Sequence, residues 1–170
     1  MLARNKTIIK WLLYTAAAVL CFWVQSAILQ RITIWGVLPF LYPLLAVIPA
    51  TYEGSLFGTS FALLVGVLCD LLLPDAFPCL YTLIFPLVGL CSGLLSRSLL
   101  PTGFLCSVAG AAAAFFMTDL FRCLLLWFSQ KAAWGTGLSV MVREFFITLP
   151  LVVPMTLLFR AVHRKIDDYS

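Results

Sequence analysis

Five or six uninterrupted apolar runs, each of a length that crosses a lipid bilayer, fill nearly all of this 170-residue chain. No water reaches backbone amides in a hydrocarbon core, so only helices or closed barrels can cross it. A barrel would show strands of about ten residues with alternating polarity, whereas these runs are continuous. The chain is therefore read as an all-α polytopic membrane protein, with about six transmembrane helices in a compact bundle. Hydrophobic residues make up 63% and charged residues 11% of the chain, and the mean hydropathy is +1.08. Soluble domains carry roughly a quarter charged residues, so no soluble domain is expected.

Charges, prolines and glycines bound the runs. The expected spans are residues 11–29, 37–52, 54–73, 77–95, 103–128 and 141–159, within a single integral membrane domain covering 1–170. The second span is short and contains Pro39, Pro43 and Pro49, so it is expected to be kinked or partly re-entrant. Placing the N-terminus inside puts Arg4, Lys6, Lys10, Arg97, Arg160, Arg164 and Lys165 on the cytoplasmic side. Arg31, Lys131 and Arg143 then lie outside, a distribution that favours two cytoplasmic termini. The net charge of +4 reads as a topology signal and a preference for an anionic inner leaflet, with membrane lipid and no nucleic acid as partner. The first run resembles a secretory leader in its basic start, but it is too long and lacks a small-residue cleavage site, so it is read as a permanent helix.

The cysteines at 21, 69, 79, 91, 106 and 123 have neither paired spacing nor histidine neighbours suited to a metal, and they read as small apolar fillers. Of these, Cys79 stands where oxidation is plausible. His163, the sole histidine, lies among Arg160, Arg164 and Lys165 and reads as a solvated tail residue. No metal and no cofactor are implied, and the usual general base is missing from the spans.

The most ordered pattern is the third span. Gly54, Gly58, Ala62, Gly66 and Asp70 recur every fourth residue, and Gly89 and Gly93 form a second small face on the fourth span. Gly103, Ser107 and Ala111, flanked by Gly110 and Ala114, form a third. Small residues at this spacing let helix backbones approach closely, which serves internal packing and partner binding alike. Asp70, Asp119 and Arg122 then fall in the outer half of the bilayer. Each charge costs about 2.5–3.5 kcal/mol at the centre of an isolated helix, so such groups face a bundle interior, a cavity or a partner. Asp119 and Arg122 are three residues apart and able to pair, while Asp70 needs another donor or a share in Arg122. A paired-aspartate intramembrane protease is disfavoured, because Arg122 would hold Asp119 ionised and signal-peptidase asparagine signatures are lacking. A serine reading of Gly58-Thr59-Ser60-Phe61 lacks its histidine.

Glu53-Gly54, Gly58, Phe61, Gly66 and Asp70-Leu71, followed by Leu80 and the Gly89/Gly93 helix, resemble the central signature of the MreD family, small membrane subunits of the bacterial rod-shape machinery. Length, short loops and a final proline-containing helix ending at Arg160 are similar too. The segment Pro74-Asp75-Ala76-Phe77-Pro78 stands where family members often place a glycine. The resemblance implies a non-catalytic scaffold for cell elongation and peptidoglycan synthesis in the bacterial inner membrane. It also implies an MreC-like single-span coiled-coil partner and association with an elongation glycosyltransferase, a penicillin-binding transpeptidase and an MreB-like filament. The implied body is similar to the substrate-binding subunits of energy-coupling-factor vitamin transporters. That similarity supplies an alternative function, with Asp70, Asp119 and Arg122 lining an outward pocket.

Overall fold

The computed structural model describes residues 2–73, 79–98, 104–129 and 134–168. Their helices are α1 (Leu2–Ala27), α2 (Tyr42–Glu53), α3 (Ser55–Leu72), α4 (Leu80–Ser98), α5 (Phe104–Phe128), α6 (Trp134–Thr148) and α7 (Val152–Asp168). Among the described residues no strand occurs beyond an isolated bridge between Ile34 and Val37, which closes a turn with Trp35 and Gly36 at positive φ. Four stretches are long and apolar enough to cross a membrane: Thr7–Arg31, Ser55–Leu72, Phe104–Phe128 and Gly137–Ile166; the apolar part of α4, Leu80–Ser96, is shorter. Residues 74–78, Lys131 and Gly103 lie outside the described residues.

Several boundaries differ from the hydropathy reading for local reasons. The last run is two helices, because Pro150 has no N–H for the preceding turn and its ring crowds that turn's carbonyl. A 3-10 turn, Leu149–Leu151, therefore separates α6 from α7. In the second run, residues 37–41 are not helical. The helix starts at Tyr42 with Pro43 in its first turn, where a missing N–H is no loss. The 12 residues of α2 reach about 18 Å, short of a hydrocarbon core. It is nonetheless the centre of the bundle: Leu44, Leu45, Ala46, Val47, Ile48 and Ala50 have no exposed surface. A helix apolar on every side is stable only when covered on every side.

The irregular backbone leading into α2 is satisfied by its neighbours. Gln25 of α1, 3% exposed, donates through Nε2 to the Pro39 carbonyl at 2.8 Å and accepts from the Leu41 N–H at 3.0 Å. The Phe40 N–H donates to Thr148 Oγ1 at 3.3 Å, and that hydroxyl donates to the Glu144 carbonyl at 2.8 Å. Non-helical backbone is tolerated at membrane depth only under such cover.

The small-residue faces meet each other inside the bundle. A methyl group on Gly58 would collide with Ala50 of α2, and one on Gly66 would lie 2.6 Å from the Tyr81 carbonyl oxygen. Gly89 faces Ala62 and the Gly58 carbonyl, while Gly93 faces the Ser55 backbone. Thus α3 lies between α2 and α4 at backbone contact, with Leu63 and Leu64 on its exposed side. Gly54 differs from the rest of its stripe: it has φ 86° with open space where a Cβ would stand, and it makes the α2–α3 turn.

Beside that turn, Glu53 ties three elements together. It is paired with Lys10 of α1, accepts a hydrogen bond from the Tyr14 hydroxyl at 2.9 Å, and lies 2.9 Å from His163 Nδ1 of α7. His163 is therefore not a solvated tail residue: α7 continues past it and carries it back against Glu53. Tyr14 also stacks on Phe159, with ring centroids 5.9 Å apart, so the first and last helices close on each other here.

Two outcomes are expected. Gln25→Ala removes the side-chain partner of the buried Pro39 carbonyl and Leu41 N–H, at a cost of about 2–5 kcal/mol. Thermal unfolding of the detergent-solubilised protein measures it. Burial alone would raise the Glu53 carboxyl, but hydrogen bonds from Lys10, His163 and Tyr14 together outweigh it and hold that carboxyl below its ordinary range. A depressed carboxylate stabilises above its unfolded value, and the contribution is lost as pH falls through the folded value. The unfolding midpoint should therefore hold down to the ordinary carboxylate range and fall as pH drops below it, and Glu53→Gln should flatten that fall; an unchanged acid slope in Glu53→Gln would refute the assignment.

Candidate functional site

At the end of the bundle opposite Glu53, the inner face of α5 carries Cys106, Ser107, Gly110, Ala111, Ala114, Phe115, Thr118 and Asp119. Their spacing of three and four residues is that of a single helical face, so the periodicity that buries the small residues also buries Asp119. Asp119 is 5% exposed, and Glu144 of α6 is 6% exposed. With Arg122, one turn beyond Asp119, they line a cavity of about 300 Å³ between α5 and α6. Gly137 borders it, and a Cβ there would lie 2.7 Å from Cys123 Sγ, so the glycine keeps the seam narrow.

Arg122 and Glu144 also border a neighbouring cavity of about 280 Å³, together with Gln25, Gln30, Phe40, Tyr42 and Tyr81. Along the seam, a groove of about 310 Å³ is bounded entirely by apolar residues, among them Phe115, Phe116, Met141, Phe145 and Phe146. The α5–α6 seam is thus polar at one end and apolar along the rest. Among the described residues, Asp119 Oδ2 and Thr118 Oγ1 are buried there without hydrogen-bond partners. Two carboxylates around one guanidinium leave acceptors in excess, so the site suits a hydrogen-bond donor or a cationic group.

Asp70 is not among the residues around either cavity. Its carboxylate accepts from the Tyr81 N–H at 3.1 Å, the Thr82 N–H at 2.8 Å and the Thr82 hydroxyl at 2.5 Å. These amides belong to the first turn of α4, where unsatisfied donors and the helix dipole favour an anion. Asp70 therefore docks the start of α4 on α3 and draws its donors from α4. Gly58, Ala62, Gly66, Gly89 and Gly93 are engaged between α2, α3 and α4, away from the α5–α6 seam.

Glu144 and Gln25 were missed by the sequence reading. Glu144 lies inside the sixth apolar stretch, and the criterion that selected Asp119, a charge at membrane depth, applies to it equally; Arg143 beside it drew that position toward a loop reading. Gln25 is uncharged, and no spacing distinguishes it from a lipid-facing polar residue.

If Asp119 serves a ligand or partner and not the fold, Asp119→Asn should leave the unfolding midpoint of the isolated protein unchanged or a few degrees higher, since it removes a buried charge lacking a full set of partners. A marked drop would show that the carboxylate holds the bundle together. Comparison with family models, with curated proteins and with solved structures finds no match.

Proposed function

We propose that this chain is a non-catalytic multi-pass scaffold of a bacterial cell-elongation complex, set in the inner membrane with both termini in the cytoplasm. In this reading it binds an MreC-like single-span protein. Through that protein or directly, it contacts the elongation glycosyltransferase, the penicillin-binding transpeptidase and an MreB-like filament. The sequence resemblance over residues 54–93 supports the family reading. The observation that carries the binding reading is the buried Asp119 Oδ2 at the α5–α6 seam, which has no hydrogen-bond partner among the described residues. In lipid, exposed apolar surface needs no explanation, but a buried carboxylate oxygen without a donor does. A partner helix lying along Phe116, Val142 and Phe146 places its side chains beside that oxygen, and a single Ser, Asn, Gln or Lys on it supplies the donor. The small residues of α3 and α4 are consumed inside the bundle, which leaves this seam as the partner face.

A second reading, the substrate-binding subunit of an energy-coupling-factor vitamin transporter, is favoured by the cavity around Gln25, Gln30, Arg122 and Glu144. Its volume approaches the lower bound of small-molecule sites.

Co-expression with the MreC-like protein of the same genome distinguishes them. Under the scaffold reading the two chains co-purify in mild detergent. Asp119→Leu should lower the recovered complex about threefold to thirtyfold, the worth of one interhelical hydrogen bond in lipid. Leu63→Ala, on the exposed side of α3, should change nothing, and depletion of the chain should turn rods into spheres. Recovery of ATPase subunits with a retained small molecule, and no effect on cell shape, would instead establish transport.

A further inference from the structure

A further cavity lies at the Glu53 end, between α7 and the neighbouring ends of α2 and α5, with a volume of about 380 Å³. Its lower walls are Val153, Leu157 and Phe104, and its mouth carries Arg160, Arg164 and His163. Arg160 and Arg164 are four residues apart on α7, so they share one helical face. With the residues whose side chains are described, which on α7 end at Ile166, neither arginine forms an ion pair or hydrogen bond. The nearby Glu53 carboxylate is already taken by Lys10, Tyr14 and His163. From Val153 to Arg164 the wall rises about 16 Å, which spans a phosphate and the upper part of an acyl chain.

We propose that this cavity binds an anionic phospholipid, with its phosphate between Arg160 and Arg164 and one acyl chain along Val153, Leu157 and Phe104. Planar guanidinium groups match phosphate oxygens with paired, charge-assisted hydrogen bonds. Basic pockets between membrane helices take such headgroups. The apolar walls contribute nothing to a free phosphate ion and a great deal to a lipid. The bilayer supplies that lipid, because this part of α7 belongs to the stretch Gly137–Ile166 that is long and apolar enough to cross a membrane. The site is separate from the α5–α6 seam and stands whichever function the seam serves.

Native mass spectrometry of the full chain in a neutral detergent tests this, with phosphatidylglycerol and phosphatidylcholine of identical acyl chains as probes. Phosphatidylglycerol should be retained about tenfold more than phosphatidylcholine, and excess inorganic phosphate should not displace it. The double variant Arg160→Gln, Arg164→Gln should lose the preference, while Arg143→Gln, at the other end of the bundle, should keep it. Leu157→Trp leaves both arginines in place and fills the acyl part of the cavity at a 60% exposed position, so it reads the site even where the double variant folds poorly; it should reduce retention severalfold. Equal retention of the two lipids, an unaltered preference in the double variant, full retention in Leu157→Trp, or displacement by phosphate would each overturn the proposal.

Discussion

The bundle depends on one unusual requirement: the chain breaks helical hydrogen bonding just before α2, its most deeply buried element. Backbone groups that lose helical partners at membrane depth need others within the protein, because in lipid each unmet group costs several kcal/mol. One Gln25 side chain meets two of them and the Thr148 hydroxyl a third. Because Gln25 sits on α1 and Thr148 on α6, satisfying this short stretch also fixes the first and sixth helices against the second. The break has its own cause in the prolines: Pro43 is accommodated in the first turn but its ring and missing N–H stop α2 from extending upstream through it, and Pro39 disfavours helix at Leu38.

The two ends of the bundle handle buried charge differently. At the α2–α3 turn Glu53 is fully engaged, by Lys10, Tyr14 and His163, and the result is a closed knot between α1, α2 and α7. At the far end Asp119 and Glu144 share the field of Arg122, and among the described residues Asp119 Oδ2 has no hydrogen-bond partner. A charge retained at membrane depth without its partners adds little to stability and suggests use by something outside the chain. The seam between α5 and α6 joins this polar end to an apolar groove, which is the combination a single partner helix needs.

The small-residue pattern illustrates how much a spacing can say. Close backbone approach was legible from Gly58, Ala62, Gly66, Gly89 and Gly93, because a four-residue repeat is geometry that any helix must obey. Which surface each face meets was not legible, since an identical stripe serves an internal neighbour or an external one. The same limit applied to Asp70. Its position near the end of a span was readable, but its donors are backbone amides of α4, and every residue has such amides.

What the sequence determined by itself is the solvent and the element type. Long apolar runs with few charges leave helices in lipid as the available state, and the repeat of small residues requires that some of those helices touch. Tertiary structure alone decided which polar groups share a neighbourhood. Gln25 with Pro39 and Leu41, Asp119 with Glu144, and Glu53 with His163 are pairings across long stretches of chain, set by how helices rotate and cross when packed. Those rotations follow from the summed contacts of many side chains, and no local spacing records that sum.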